Sequence, residues 1–185
     1  AYRSPEASKS DFHAMTVLDS LLTGPTGLNM FGGGGISNKT SRLYQALVEQ
    51  EYAVGVNGGL QATIDPFLYI IMVAIHPDRS YETALVEIDN QVQEFQDTLV
   101  SVDEIRRAIK QARALFVYGS ESITNQAFWL GYAEMFADYD WFRNYVEELE
   151  KITPQDIQRA ARSILRSSSR VVGVYLPTGD QEEVQ

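Results

Sequence analysis

The chain has no cysteine and only two histidines, His13 and His76. The first absence removes disulfides, thiolate metal sites and cysteine nucleophiles. The scarcity of histidine bears on zinc. Neither histidine sits in an H-x-x-H or H-x-x-E-H spacing, and neither has a carboxylate at helical ligand distance. No metal site is expected from this chain alone. Basic residues are also few. Fifteen Lys and Arg stand against 25 Asp and Glu, a formal charge of −10. A surface this acidic repels phosphate, so no nucleic-acid partner is expected. The densest basic run, Arg106, Arg107, Lys110 and Arg113, has helical spacing and reads as a solvated face. Long apolar runs are missing as well. The longest, Phe67 to Ile75, is strand-sized, so no membrane span is expected. Composition leaves the compartment open between cytoplasm and periplasm, and no secretory signal is read at the start.

What is present is 44% hydrophobic residues over 185 positions, enough for one substantial core. The most informative stretch runs from Gly32 to Ile64. A glycine run opens it, and a helix pattern follows from about Thr40 to Gln50, with Leu43, Ala46 and Leu47 as its apolar stripe. Even positions from Tyr52 to Ile64 then alternate as a strand, interrupted only at Gly58. Asp65-Pro66 turns the chain into a second strand, Phe67 to Ile75. That strand is apolar almost throughout, which predicts cover on both faces. A turn this short makes the pair antiparallel.

Before this stretch, Phe12, Met15, Leu18 and Leu22 mark a helix from Asp11 to Leu22, with Ser10 as its expected N-cap and Gly24-Pro25 as its stop. After it come helices at about Tyr81–Leu99, from Ser101 (a capping box with Glu104), at Asn125–Ala137, at Tyr139–Leu149, and from Thr153-Pro154. Arg170 to Leu176 reads as a closing strand, and 177–185 as a polar tail. The closing strand must rejoin a sheet begun much earlier. The expected fold is therefore α+β, a mostly antiparallel sheet with helices packed on one side, in a single domain spanning 1–185. Tyr2-Arg3-Ser4-Pro5 reads as the tail of a strand, so the chain reads as an excerpt of a longer protein.

Two further patterns bear on chemistry. Gly33 to Thr40 misses a P-loop only at Asn38, but it follows a helix and a long loop instead of a buried strand. Eight aromatics between Phe128 and Tyr145 read as helix-packing core ahead of a docking surface.

Several pieces, in order, resemble one family. They are Tyr2-Arg3-Ser4-Pro5, the helix from Ser10, and Thr40 to Val48 with its alternating strand. Val102-Asp103-Glu104-Ile105, Ile152 to Ile157 and Val171 to Pro177 follow. Together they resemble the C-terminal domain of pitrilysin/insulinase-type zinc peptidases, the family that includes the processing peptidases. The resemblance implies the non-catalytic domain of a zinc metalloendopeptidase subunit, part of a chamber wall around a peptide substrate. Zinc would sit in the parent's N-terminal domain, on H-x-x-E-H and a distal Glu, a motif absent here. Implied partners are that N-terminal domain and a homo- or hetero-dimeric peptidase subunit. In substrate-binding members an Arg and a Tyr seven residues later reach the peptide; the matching positions here are Val48 and Gly55. Arg42 and Tyr44 are possible domain-contact residues, or ordinary helix residues, and the glycine run is a possible hinge or gate loop. The alternative is an inactive structural or protein-interaction homologue with no peptidase activity.

Overall fold

The computed structural model describes residues 1–25, 39–119 and 121–176. The glycine run and the 177–185 tail, with the roles expected of them, lie outside these. The elements are β1 (Tyr2–Arg3), α1 (Ser10–Leu22), a π-helical segment (Tyr44–Val48), β2 (Ala53–Gly59) and β3 (Leu68–Ile75). Then follow α2 (Tyr81–Asp97), α3 (Val102–Gly119), α4 (Ile123–Phe136), α5 (Tyr139–Glu150) and α6 (Pro154–Ile164). The sheet is antiparallel, in the order β1-β3-β2, and the fold is α+β as expected.

Helix α1 is the centre of the core. Met15, Val17, Leu18 and Leu22 are at most 2% exposed, because the helix packs against α3, α5, α6 and β2. It begins one residue early: Ser10 lies inside it, and Lys9 is the cap residue, without a side-chain cap bond. The Phe12 N–H instead donates to the Lys9 carbonyl at 3.0 Å. The helix stops at Gly24, whose φ of 110° is open to glycine at little cost.

The expected helix before the first strand is shorter and wound differently. Glu49 N–H donates to Tyr44 O at 3.1 Å and Tyr52 N–H to Leu47 O at 2.8 Å, both five residues back. This π winding keeps Leu43 and Leu47 fully buried. It ends at Glu51, a non-glycine residue at φ 58°. Such a conformation costs roughly 1–2 kcal/mol.

Strand β2 ends at Gly59 instead of Ile64, and its alternation is not simple. A bulge between Ala53 and Gly55 breaks the register. Ala53 and Val56 consequently face inward at 2% and 1% exposure, and Val54 points out at 61%. Past Gly59 the chain leaves the ladder to tie down the N-terminus, with Ala7 N–H donating to Thr63 O at 3.0 Å. There Ala62, Ala7, Phe12, Ala133 and Phe136 make a second, smaller core.

Strand β3 corrects another expectation. Only one of its faces is covered. Tyr69 is fully buried towards the helices, but Leu68, Ile70 and Met72 are exposed on the other face. All the helices that pack on this sheet lie on one side, so apolar content does not follow cover here. The closing strand is corrected too. Among the described residues, 171–176 form no ladder, and the one backbone pairing is Val171 with Ala1.

The helices follow their caps. Ser101 and Glu104 form the expected reciprocal box, with Ser101 N–H to Glu104 Oε2 at 3.0 Å and Glu104 N–H to Ser101 Oγ at 3.2 Å. Thr153 and Asp156 form another, and Pro154 occupies the first turn. Helix α4 starts at Ile123 because Ser122 Oγ accepts from Asn125 N–H at 3.0 Å. The aromatics of α4 and α5 pack as interior: Phe136 meets Trp141 edge-on at 4.8 Å, and Trp129 and Tyr145 are buried.

His13 sits inside this cluster, 8% exposed, between Trp141 and Tyr145, with no partner for its Nε2. Burial, set against the charge of Glu148 and reinforced by Lys151, lowers its pKa. The native state therefore takes up its proton at lower pH than the unfolded chain. Stability from this group is complete above about pH 6.5, the unfolded value, and is lost as pH falls below it. Urea titrations from pH 7.5 to 5.5 are expected to show that slope, and His13→Gln is expected to flatten it.

Candidate functional site

The Val48 and Gly55 positions lie close along the chain but differ in kind. Val48 ends the π segment and is partly buried against the main core. Gly55 is at the β2 bulge, and a Cβ built there meets nothing within 4 Å. There is room for a side chain at Gly55.

Arg42 is held within the chain. Its Nη1 lies 3.3 Å from Glu94 of α2, its Nη2 lies 3.3 Å from Glu104 of α3, and its guanidinium covers the Phe95 ring at 4.1 Å. One side chain thus ties the π segment to two helices. Burial opposes ionisation of Glu104, but the Ser101 backbone and hydroxyl donors and the Arg42 charge prevail, holding its carboxyl below the usual range. Tyr44, the neighbouring candidate, is partly buried against the main core. Beside Arg42 is a cavity of about 600 Å³ lined by Ser20, Gln45, Gln91, Glu94, Glu104 and Gln111, among others. Its lining combines amides and hydroxyls with the Arg107 guanidinium and the paired Arg42, Glu94 and Glu104.

A buried polar cluster lies outside the residues expected from sequence. Asp19 is fully buried in α1, and its Oδ1 accepts from the Tyr69 hydroxyl and from Thr23 Oγ1, each at 2.6 Å. Burial first, and then the Asp19 charge, raise the Tyr69 pKa well above its ordinary value. Gly58 lies against this cluster. A Cβ there would stand 2.1 Å from both Asp19 Oδ1 and Thr23 Oγ1. The one break in the β2 alternation marks where polar atoms of α1 occupy the space of a side chain. That break was the available sequence signal.

The described residues do not fit a zinc ion. His13 is enclosed by aromatic rings, and His76 lies at the surface beside Asp78. No three His, Cys, Asp or Glu among the described residues gather as ligands. No helix among them is long and apolar enough to cross a membrane.

The described residues form an α+β domain with a small antiparallel sheet. The family profile of the Peptidase M16 inactive domain matches residues 1–112, and the chain belongs to that family. Among solved structures it is similar to a candidate zinc protease from Bordetella pertussis Tohama I, at 25% identity and TM-score 0.79, covering 96% of this chain and 90% of that one. The inactive peptidase domain of a candidate zinc protease from Bordetella parapertussis is 24% identical, with TM-score 0.80 and the same coverage. A protease from Helicobacter pylori is 18% identical with TM-score 0.77, covering 91% of this chain but 38% of that one. No curated protein matches the chain.

Proposed function

We propose that residues 1–185 are the C-terminal, non-catalytic domain of a longer zinc metalloendopeptidase subunit, and that the domain forms part of a chamber wall around a peptide substrate. The observation that supports this best is the outward face of the sheet. Val54 is 61% exposed and Met72 64%, with Leu68 and Ile70 beside them, opposite the face that carries the helices. An apolar sheet face of this kind suits an enclosed surface against unfolded peptide. The chain's own histidines do not form a ligand set, so zinc belongs in an N-terminal domain carrying H-x-x-E-H. With Val48 and Gly55 at the Arg and Tyr positions, those side chains come from a partner subunit, as in processing-peptidase-like pairs.

The test is zinc content and peptide cleavage of the full-length protein, with and without its co-expressed neighbour. Bound zinc, with cleavage only when the partner is present, is the expected result. A full-length protein that binds no zinc overturns this reading and leaves an inactive structural homologue.

A further inference from the structure

The cavity beside Arg42 is walled by α1, α2, α3 and the π segment with the residues just before it. Its volume, about 600 Å³, lies in the range of small-molecule sites. Where helices meet, apolar side chains usually fill the junction. Here most of the lining is polar.

The charges of this lining are not matched one to one. Glu104 is the natural partner for Arg107, which follows it by three residues on α3. Both Glu104 oxygens are already used. Oε1 lies 3.3 Å from Arg42 Nη2, and Oε2 accepts from the Ser101 N–H at 3.0 Å and from the Ser101 hydroxyl at 2.8 Å. The other arginines of α3 are paired, Arg106 with Asp103 and Arg113 with Glu150. Arg107 is exposed and has no carboxylate partner among the described residues. On the α2 wall the imbalance has the opposite sign. Arg42 carries one positive charge between two carboxylates, Glu94 and Glu104. Glu94 approaches Arg42 through Oε2 alone, at 3.3 Å, and its side chain is 53% exposed. One cation and one carboxylate oxygen thus remain open in the same cavity, on different helices.

Three glutamines complete the lining. Gln91 donates its Nε2 to Glu87 at 2.9 Å and keeps its carbonyl oxygen. Gln45 and Gln111 make no side-chain hydrogen bond among the described residues. A side-chain amide offers a donor and an acceptor, the pair that a peptide group requires.

We propose that this cavity binds short peptides with free ends, the α-carboxylate on Arg107, the α-ammonium at Glu94 and the peptide groups between them on the glutamine amides. A phosphate would meet Arg107 but also the excess carboxylate, and a simple cation would meet Arg107. A ligand carrying both charges answers both. The site shares no residue with the bare sheet face, and it does not depend on where zinc is held.

Calorimetric titration of the protein with trialanine tests this. Saturable binding of one peptide per chain is expected. Capping either end, as N-acetyl-trialanine or as trialanine amide, is expected to weaken it by about fivefold or more, the loss of a hydrogen bond to a charged group. Arg107→Gln is expected to weaken trialanine to the same degree and to bind trialanine and its amide alike. Its Tm is expected to match the parent, because Arg107 is exposed and unpaired, so lost binding is not lost folding. Lys110→Gln removes an exposed cation of α3 that is outside the lining and is expected to bind as the parent does. No saturable binding overturns the proposal, as does a Lys110→Gln loss equal to that of Arg107→Gln, or an amide that binds the parent as tightly as the free acid. Alanine binding as tightly as trialanine overturns the assignment to peptides. Zinc content is a separate readout: a zinc-free full-length protein that binds trialanine overturns the proposed function and keeps this site.

Discussion

Gly58→Ala is expected to cost roughly 1–3 kcal/mol or more, the range for forcing extra volume into a packed interior. The added methyl would stand 2.1 Å from both Asp19 Oδ1 and Thr23 Oγ1, inside any real contact distance. Relief requires moving α1 away from β2 or turning the Asp19 carboxylate from its donors. Neither is easy, since Asp19 is 0% and Thr23 2% exposed. A loss of this size is a large share of the 5–15 kcal/mol that holds a domain together. The comparison with two other glycines on the same strand makes the prediction specific. A Cβ at Gly59 meets only Ile70 O at 3.9 Å, and one at Gly55 meets nothing within 4 Å. Gly59→Ala and Gly55→Ala are expected to lie within about 1 kcal/mol of the parent chain. Urea unfolding of the three variants checks this. Equal midpoints for Gly58→Ala and Gly55→Ala would show that α1 does not press on β2 as described.

Tyr69→Phe is expected to cost about 1.5–3 kcal/mol, the usual worth of a hydrogen bond to a charged group. The variant keeps the ring, so packing changes little. What it removes is a hydroxyl donor 2.6 Å from a carboxylate that has no access to water. The partner substitution separates this from a simple packing effect. In Asp19→Asn the acceptor is neutral and the Tyr69 bond weakens. The double variant should therefore lose less than the sum of the singles, with a coupling of at least about 1 kcal/mol. Additive losses in a double-mutant cycle would show that the hydroxyl and the carboxylate act independently. Both this bond and Gly58 join α1 to the sheet, so they set the position of the β2–β3 surface that the proposed chamber wall uses.

The sequence carried the helices well because their signals are local. Ser101 with Glu104, and Thr153-Pro154 with Asp156, need only neighbours to form, and both caps are present. Family membership was legible for a related reason: short segments in a fixed order survive as pattern even where no single one is decisive. The strands were harder. Even-position alternation put Val54 and Val56 on one face, and a bulge at Ala53–Gly55 separated them. A bulge adds one residue to one strand, and nothing in a run of valines and glycines announces which strand takes it. The apolar run at β3 likewise reported composition and not cover, since exposure depends on what packs there.

The candidate site divides in the same way. Arg42 stood out by its place in a family-like helix, but its two carboxylate partners are 52 and 62 positions away and come together only when α2 and α3 pack. The Asp19–Tyr69 pair was invisible for the same reason, as 50 residues separate a helix aspartate from a strand tyrosine. By itself the sequence determined the fold class, the helix boundaries to within a few residues and the absence of thiol chemistry. These follow from residue identity and short-range periodicity. The tertiary structure alone decided which face of the sheet is bare and which charges are buried and paired. Those depend on distances between residues far apart in the chain, which only packing sets.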